Sequence, residues 1–194
     1  MGQRGQQPAS VQKPFLTDVT TLRERARKNL DDGAIGSNYI GDVNKTIEIL
    51  QSVLATEIVC VLRYTQNAVA ATGISSEGVR TEFQEHADEE LQHVHQVAER
   101  INQLGGNPDM NPEGLLTRSA AQYSQGGNLV EMIKENLVAE RIAVDHYREL
   151  IRYFGNNEPS TRNLIEDILR VEEEHANDMH DLLVAHQGDP MLKG

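Results

Sequence analysis

The chain has 194 residues with a formal net charge of -12, 25% charged residues, 4% aromatic residues, no tryptophan and one cysteine. That length suits one domain with a sizeable core, and few aromatics among abundant Leu, Glu, Gln and Ala favour an all-α bundle over a sheet protein. The acidic balance excludes a protein that coats nucleic acid over its whole surface, and the lone Cys60 excludes an internal disulfide.

Residues 1 to about 16 are rich in Gln, Gly and Pro and are expected to be mobile, with no apolar signal core and no myristoylation pattern. No apolar run approaches the roughly 18 residues of a membrane span, so no membrane association is expected and a cytoplasmic protein is. "TDVTTLRERARKNLDDG" then predicts a short helix capped by Thr17 or Asp18 and stopped by Gly33. The first thirty residues are the basic part of the chain, with Arg4, Lys13, Arg23, Arg25, Arg27 and Lys28 against Asp18 and Glu24. Repeated in an assembly it would bind DNA phosphates by avidity; packing on a neighbouring subunit with solvated charges explains it equally well.

Four long helices are predicted next, with ends placed to within a few residues. They run from Asn44 to Ala71, from Glu77 to Leu104 behind Ser75 or Ser76, from Asn128 to Phe154, and from Ser160 to His186. "TGISS" and "GNNEP" are short enough to make two antiparallel hairpins. "GGNPDMNPEGLLTRSAAQYSQGG" between them is long enough to run the roughly 40 Å length of a helix, so the hairpins join by a crossover. The expected organisation is an N-terminal extension over residues 1–40, a four-helix bundle over 41–188 and a tail over 189–194.

Two Glu-x-x-His pairs lie on these helices, Glu90 with His93 and Glu172 with His175. Three residues apart, both side chains of a pair can reach one ion, but either pair alone reads more readily as a solvated acidic face. The surroundings decide. Glu172 falls in line with Ile165, Leu169, Ala176, Met179 and Leu183, and Glu90 with Phe83, Ala87, Val94, Val97 and Ile101. Glu57 shares its face with Leu50, Leu54, Val61, Tyr64 and Ala68, and Glu140 with Ile133, Leu137, Val144, Tyr147 and Ile151.

Each long helix thus carries one core-facing glutamate near its middle. Four buried carboxylates demand a positive partner. Glu140 follows Glu57 by 83 residues and Glu172 follows Glu90 by 82, and Tyr64 and Tyr147 each stand seven residues after their glutamate. Two similar hairpins, each with a lone Glu and a Glu-x-x-His, predict a dinuclear metal site of four carboxylates and two imidazoles. Its oxygen and nitrogen donors favour iron or manganese, with zinc able to substitute. Tyr64 and Tyr147 are expected in the core with their hydroxyls hydrogen-bonded near the site. Cys60 is expected to be a small buried residue, and His86, His95, His146, His180 and His186 are expected on polar faces.

These residues resemble the ferritin-like di-iron carboxylate proteins over about residues 44 to 186. The resemblance implies Glu57 and Glu140 as terminal ligands, Glu90 and Glu172 as bridges, and His93 and His175 on one metal each, as in a bacterioferritin-type ferroxidase centre. Leu91 stands where bacterioferritin has a haem-ligating Met, so no haem is expected. "QGDPMLKG" after the fourth helix leaves no room for a fifth, and "VAERINQLGGNP" is similar to the Dps-like group, which implies a dodecameric cage. His95 replaces the Asp of the intersubunit Dps site, which points to the intrasubunit one. The implied activity is ferroxidase and iron storage, oxidising Fe(II) with H2O2 or O2 at two irons per subunit and protecting against oxidative stress. The alternatives are a non-storing di-metal peroxidase or manganese catalase, and a DNA-binding Dps protein.

Overall fold

The computed structural model describes residues 16–36, 39–73 and 76–187. The expectations for residues 1–15, for Ser75 and for the tail 189–194 lie outside them. The chain divides into two units, 1–38 and 39–194. In the first, α1 spans Val19–Lys28. Its cap is Asp18, whose carboxylate accepts from the Thr21 amide at 3.0 Å and the Thr21 hydroxyl at 2.7 Å. Arg25, Arg27 and Lys28 occupy the last turn, where cations suit the helix dipole, and no residue of α1 is buried. The helix ends before Gly33, because the Asn29 carbonyl is taken by the Asp32 amide in a turn at 3.3 Å.

The second unit holds α2 (Val43–Ala70), α3 (Glu77–Gln103), the short α4 (Leu115–Arg118), α5 (Leu129–Phe154) and α6 (Pro159–Gln187). Among the described residues there is no strand. The architecture is the four-helix bundle that the sequence predicts: α2 packs chiefly on α3 and α5 on α6, while α3 meets α6 and α2 meets α5 across the bundle. Asp42 and Asn128 cap α2 and α5 by accepting from Lys45 and Glu131 amides, each at 3.0 Å. Ser76 precedes α3 without capping it, since its hydroxyl donates to the Gly73 carbonyl at 2.7 Å instead. At the other end of α3, Gly105 at φ +82 lets its own amide and that of Gly106 reach back to the Asn102 and Ile101 carbonyls, each at 2.9 Å.

The crossover lies along α2. The Ala120 amide donates to Thr56 Oγ1 at 3.0 Å, Ser52 donates to the Arg118 carbonyl at 2.7 Å, and α4 drops Leu115 into a cluster with Ala55, Val59, Cys60 and Ala121. Four residues make one turn, too short to show a period in the sequence. Arg63 is buried and ties three elements together. Its guanidinium donates to the Gln122 carbonyl at 3.0 Å, to Asn136 Oδ1 at 3.1 Å and to the Glu135 carbonyl. At one end of the bundle Arg100 pairs with Glu158 at 2.9 Å and donates to Thr161 at 2.9 Å, and Tyr39 also donates to Glu158. These contacts fix the helices in the height that sets the site.

An apolar block caps the site on one side. Phe83, fully buried, packs with Val79, Ile133 and Met179 and meets the Tyr64 ring at a centroid separation of 5.9 Å. Phe83→Ala should cost about 3–5 kcal/mol, read as a lowered midpoint in urea with an unchanged slope. A loss under about 1 kcal/mol would mean that this block does not hold the bundle.

Candidate metal centre

Glu57, Glu90, His93, Glu140, Glu172 and His175 come together in the middle of the bundle, each between 0 and 4% exposed. Their ligating atoms form two groups, Glu57, Glu90, His93 and Glu172 in one and Glu90, Glu140, Glu172 and His175 in the other. In each group the atoms lie within 4.8 Å of one another. Glu90 and Glu172 belong to both. His93 Nδ1 stands 3.1 Å from Glu172 Oε1, 3.3 Å from Glu57 Oε2 and 3.4 Å from Glu90 Oε2. His175 Nδ1 stands 3.5 Å from Glu90 Oε1 and 4.0 Å from both Glu140 Oε2 and Glu172 Oε2. Each shared carboxylate therefore turns one oxygen to each imidazole.

The tyrosines cross-link the two hairpins. Tyr64 of α2 donates to Glu140 of α5, and Tyr147 of α5 donates to Glu57 of α2. Both rings are buried, and each hydroxyl holds one oxygen of a lone glutamate, leaving the other free to face inward.

Many of these polar atoms have nothing to bond. Glu90 Oε1, Glu140 Oε2, both oxygens of Glu172 and His175 Nδ1 are buried without a hydrogen-bond partner. Orphaned acceptors at such a density are costly unless a cation sits among them. Four carboxylates with two neutral imidazoles carry the charge that two divalent cations cancel, so the donor set fits a dinuclear site. The electrostatics agree. Burial raises the Glu90 carboxyl, helped by the Glu57 charge, and burial with the charges of Glu172 and Glu90 pushes Glu140 well above the usual carboxylate range. Burial alone would lower the His93 imidazole, but the close carboxylates of Glu172, Glu57 and Glu90 outweigh it and hold it far above its ordinary value. The same contest at His175, with Glu90 the main partner, pushes it up to about 9.

Two participants escape the sequence reading. Glu89 Oε2 lies 2.7 Å from His175 Nε2, where a carboxylate favours a proton on Nε2 and leaves Nδ1 able to face a cation. That contact is made across helices, so nothing local announces it. His86 is not on a polar face as expected. It is 2% exposed and stacks on the His175 ring with centroids 3.8 Å apart. Its spacing, four before Glu90 and seven before His93, already placed it on the core face. His95 and His180 are exposed and His146 is half-buried. Cys60 is buried, and burial with the charges of the four glutamates drives its thiol up, so it stays protonated and offers no thiolate. Glu173 is solvated and paired with Arg148 at 2.6 Å, and Glu174 is exposed. A surface pocket of about 220 Å³, lined by Glu89, Gln92, His93, Gln96, Asp167, Arg170 and Val171, opens onto His93.

Residues 47–187 match the family described as Ferritin-like domain. The chain belongs to the ferritin-like family. It is 29% identical over 156 residues to the "DNA protection during starvation protein" of Pyrococcus furiosus, across 79% of this chain and 84% of that protein. It is also 29% identical to a structure described as a dodecameric thioferritin, the bacterioferritin-related protein of Bacteroides fragilis. That likeness covers 75% of this chain and 88% of the other with a TM-score of 0.72. A ferritin-like, diiron-carboxylate protein of Bacillus anthracis is 25% identical, covering 73% and 96% with a TM-score of 0.64. Within the ferritin-like family these relatives place the chain among the Dps-like mini-ferritins. No helix among its described residues is long and apolar enough to cross a membrane.

Proposed function

We propose that this ferritin-like chain is a ferroxidase and iron-storage subunit of a Dps-like dodecameric cage. Fe(II) is the substrate. Two ions bind among Glu57, Glu90, His93, Glu140, Glu172 and His175, each gives up one electron to H2O2 or O2, and Fe(III) passes on to mineralise. The observation that carries this reading is the cluster of orphaned buried donors shared through Glu90 and Glu172. Bound iron supplies one-electron chemistry; the chain's residues hold and orient. Glu57 and Glu140 are held by Tyr147 and Tyr64, His175 by Glu89, and the pocket over His93 gives solvent a way in. Consuming Fe(II) and peroxide together suppresses hydroxyl radical formation.

The test is anaerobic Fe(II) loading followed by oxidant, with iron and protein measured across a light-scattering size-exclusion peak. Tens to hundreds of irons co-eluting with a particle near twelve subunits support storage. About two metals per chain with no retained mineral would move the assignment to a di-metal peroxidase or manganese catalase. A subsidiary expectation concerns Glu89: Glu89→Gln should weaken metal affinity about 10–100-fold by loosening His175, seen in anaerobic Fe(II) titration. Wild-type affinity would remove Glu89 from the site.

The DNA-binding reading rests on α1, whose Arg23, Arg25, Arg27 and Lys28 are all exposed. Deleting residues 1–30 should then abolish salt-sensitive retardation of DNA on a gel; retardation that survives places the contact elsewhere.

A further inference from the structure

Beside the dinuclear cluster lies a third group of donors. Glu82 and His86 of α3 and Asp178 of α6 bring one ligating atom each within 4.8 Å of the others. His86 Nε2 points between Glu82 Oε1 at 3.4 Å and Asp178 Oδ2 at 3.5 Å, both longer than the usual hydrogen bond, and its Nδ1 is buried without a partner. The imidazole is 2% exposed, while Asp178 and Glu82 reach solvent with 40% and 31% of their side chains. A buried imidazole aimed between two half-exposed carboxylates is a site open on one side.

The internal repeat shows that packing does not require these residues. With the 82-residue offset that relates Glu90 to Glu172, the counterparts of Glu82 and His86 are Leu164 and Ile168, and that of Asp178 is Gln96. Ile168 is fully buried, so an aliphatic side chain fills the same place in the other hairpin. Only the His175 side of the bundle carries the polar trio.

We infer that Glu82, His86 and Asp178 form a third cation site, mononuclear, which takes a divalent transition-metal ion beside the dinuclear centre. One imidazole and two carboxylates suit Fe(II), Mn(II), Co(II) or Zn(II). The site is open to solvent through its two acids and reaches the dinuclear centre through the stacked rings of His86 and His175. It extends the metal-handling reading above, but its donors are separate, so each can fail alone.

The experiment uses the full-length assembly, stripped with chelator and loaded anaerobically with Co(II), and locates the ions by anomalous scattering in crystals. Three peaks per chain are expected in the wild type. In Glu82→Gln with Asp178→Asn, two partly exposed and isosteric changes that leave the fold intact by circular dichroism, only the peak at His86 should vanish. In Glu57→Ala with His93→Ala, the His86 peak should persist while the central pair is lost or weakened. No wild-type peak between Glu82, His86 and Asp178 overturns the inference, and so does a peak there that survives the double isosteric variant. A peak at His86 with none at the central cluster would uphold it and sink the ferroxidase assignment instead.

Discussion

Glu172→Ala should lower the initial rate of Fe(II) oxidation by about 100-fold or more, beyond the 10–100-fold typical of an outer partner. Glu172 turns Oε1 to His93 and Oε2 to His175, so its loss removes a donor from both groups at once. Both oxygens are buried with no hydrogen-bond partner, and they face the two imidazoles of the site. The neighbouring Glu173→Ala removes a solvated carboxylate that only pairs with Arg148, and should leave the rate within error. Stopped-flow absorbance of Fe(III) on protein of verified helical content measures both. A Glu172→Ala rate equal to that of Glu173→Ala would end the assignment of this cluster as the oxidation site.

The metal-free protein should lose stability as pH rises from about 6.5 to beyond 9, and bound metal should reverse the trend. His175 is pushed up to about 9 because Glu90, Glu172 and Glu89 outweigh its burial. A group whose folded pKa exceeds its unfolded value stabilises fully below the unfolded value, and loses that contribution as pH climbs through the folded one. For His175 the span from about 6.5 to about 9 corresponds to roughly 3 kcal/mol at about 1.4 kcal/mol per unit. His93, held up by Glu172, Glu57 and Glu90, acts in the same direction, and so do Glu90 and Glu140, whose carboxyls burial raises. Divalent metal needs deprotonated ligands, so its binding strengthens over the same window. At about 100 times its dissociation constant it adds about 2.7 kcal/mol. Melting curves of chelated and anaerobically loaded protein, at one protein concentration from pH 6 to 9.5, should diverge as pH rises. Curves that converge, or never separate, would mean that no metal engages these imidazoles.

Long periodic stretches were legible because a helix repeats its face every 3.6 residues, and the stripes through Leu50, Phe83, Ile133 and Ile165 run long enough to fix four helices within a residue or so. The one-turn α4 and the early end of α1 were not, since a single turn carries no period and a turn hydrogen bond at Asn29 is a local geometric choice. His86 carries a legible signal as well, four residues before Glu90. Its register was core-facing, but an imidazole is read as polar until a buried neighbour is known.

The sequence by itself determined the helices, the core-facing glutamate of each and the near-twofold repeat, because all three are matters of spacing along one chain. Only the tertiary structure decided which oxygen faces which imidazole, that Tyr64 and Tyr147 cross between hairpins to hold each other's glutamate, and that Glu89 braces His175. Those contacts join residues 76, 90 and 86 positions apart. They depend on the height and rotation of packed helices, which burial of the whole core sets and no local pattern encodes.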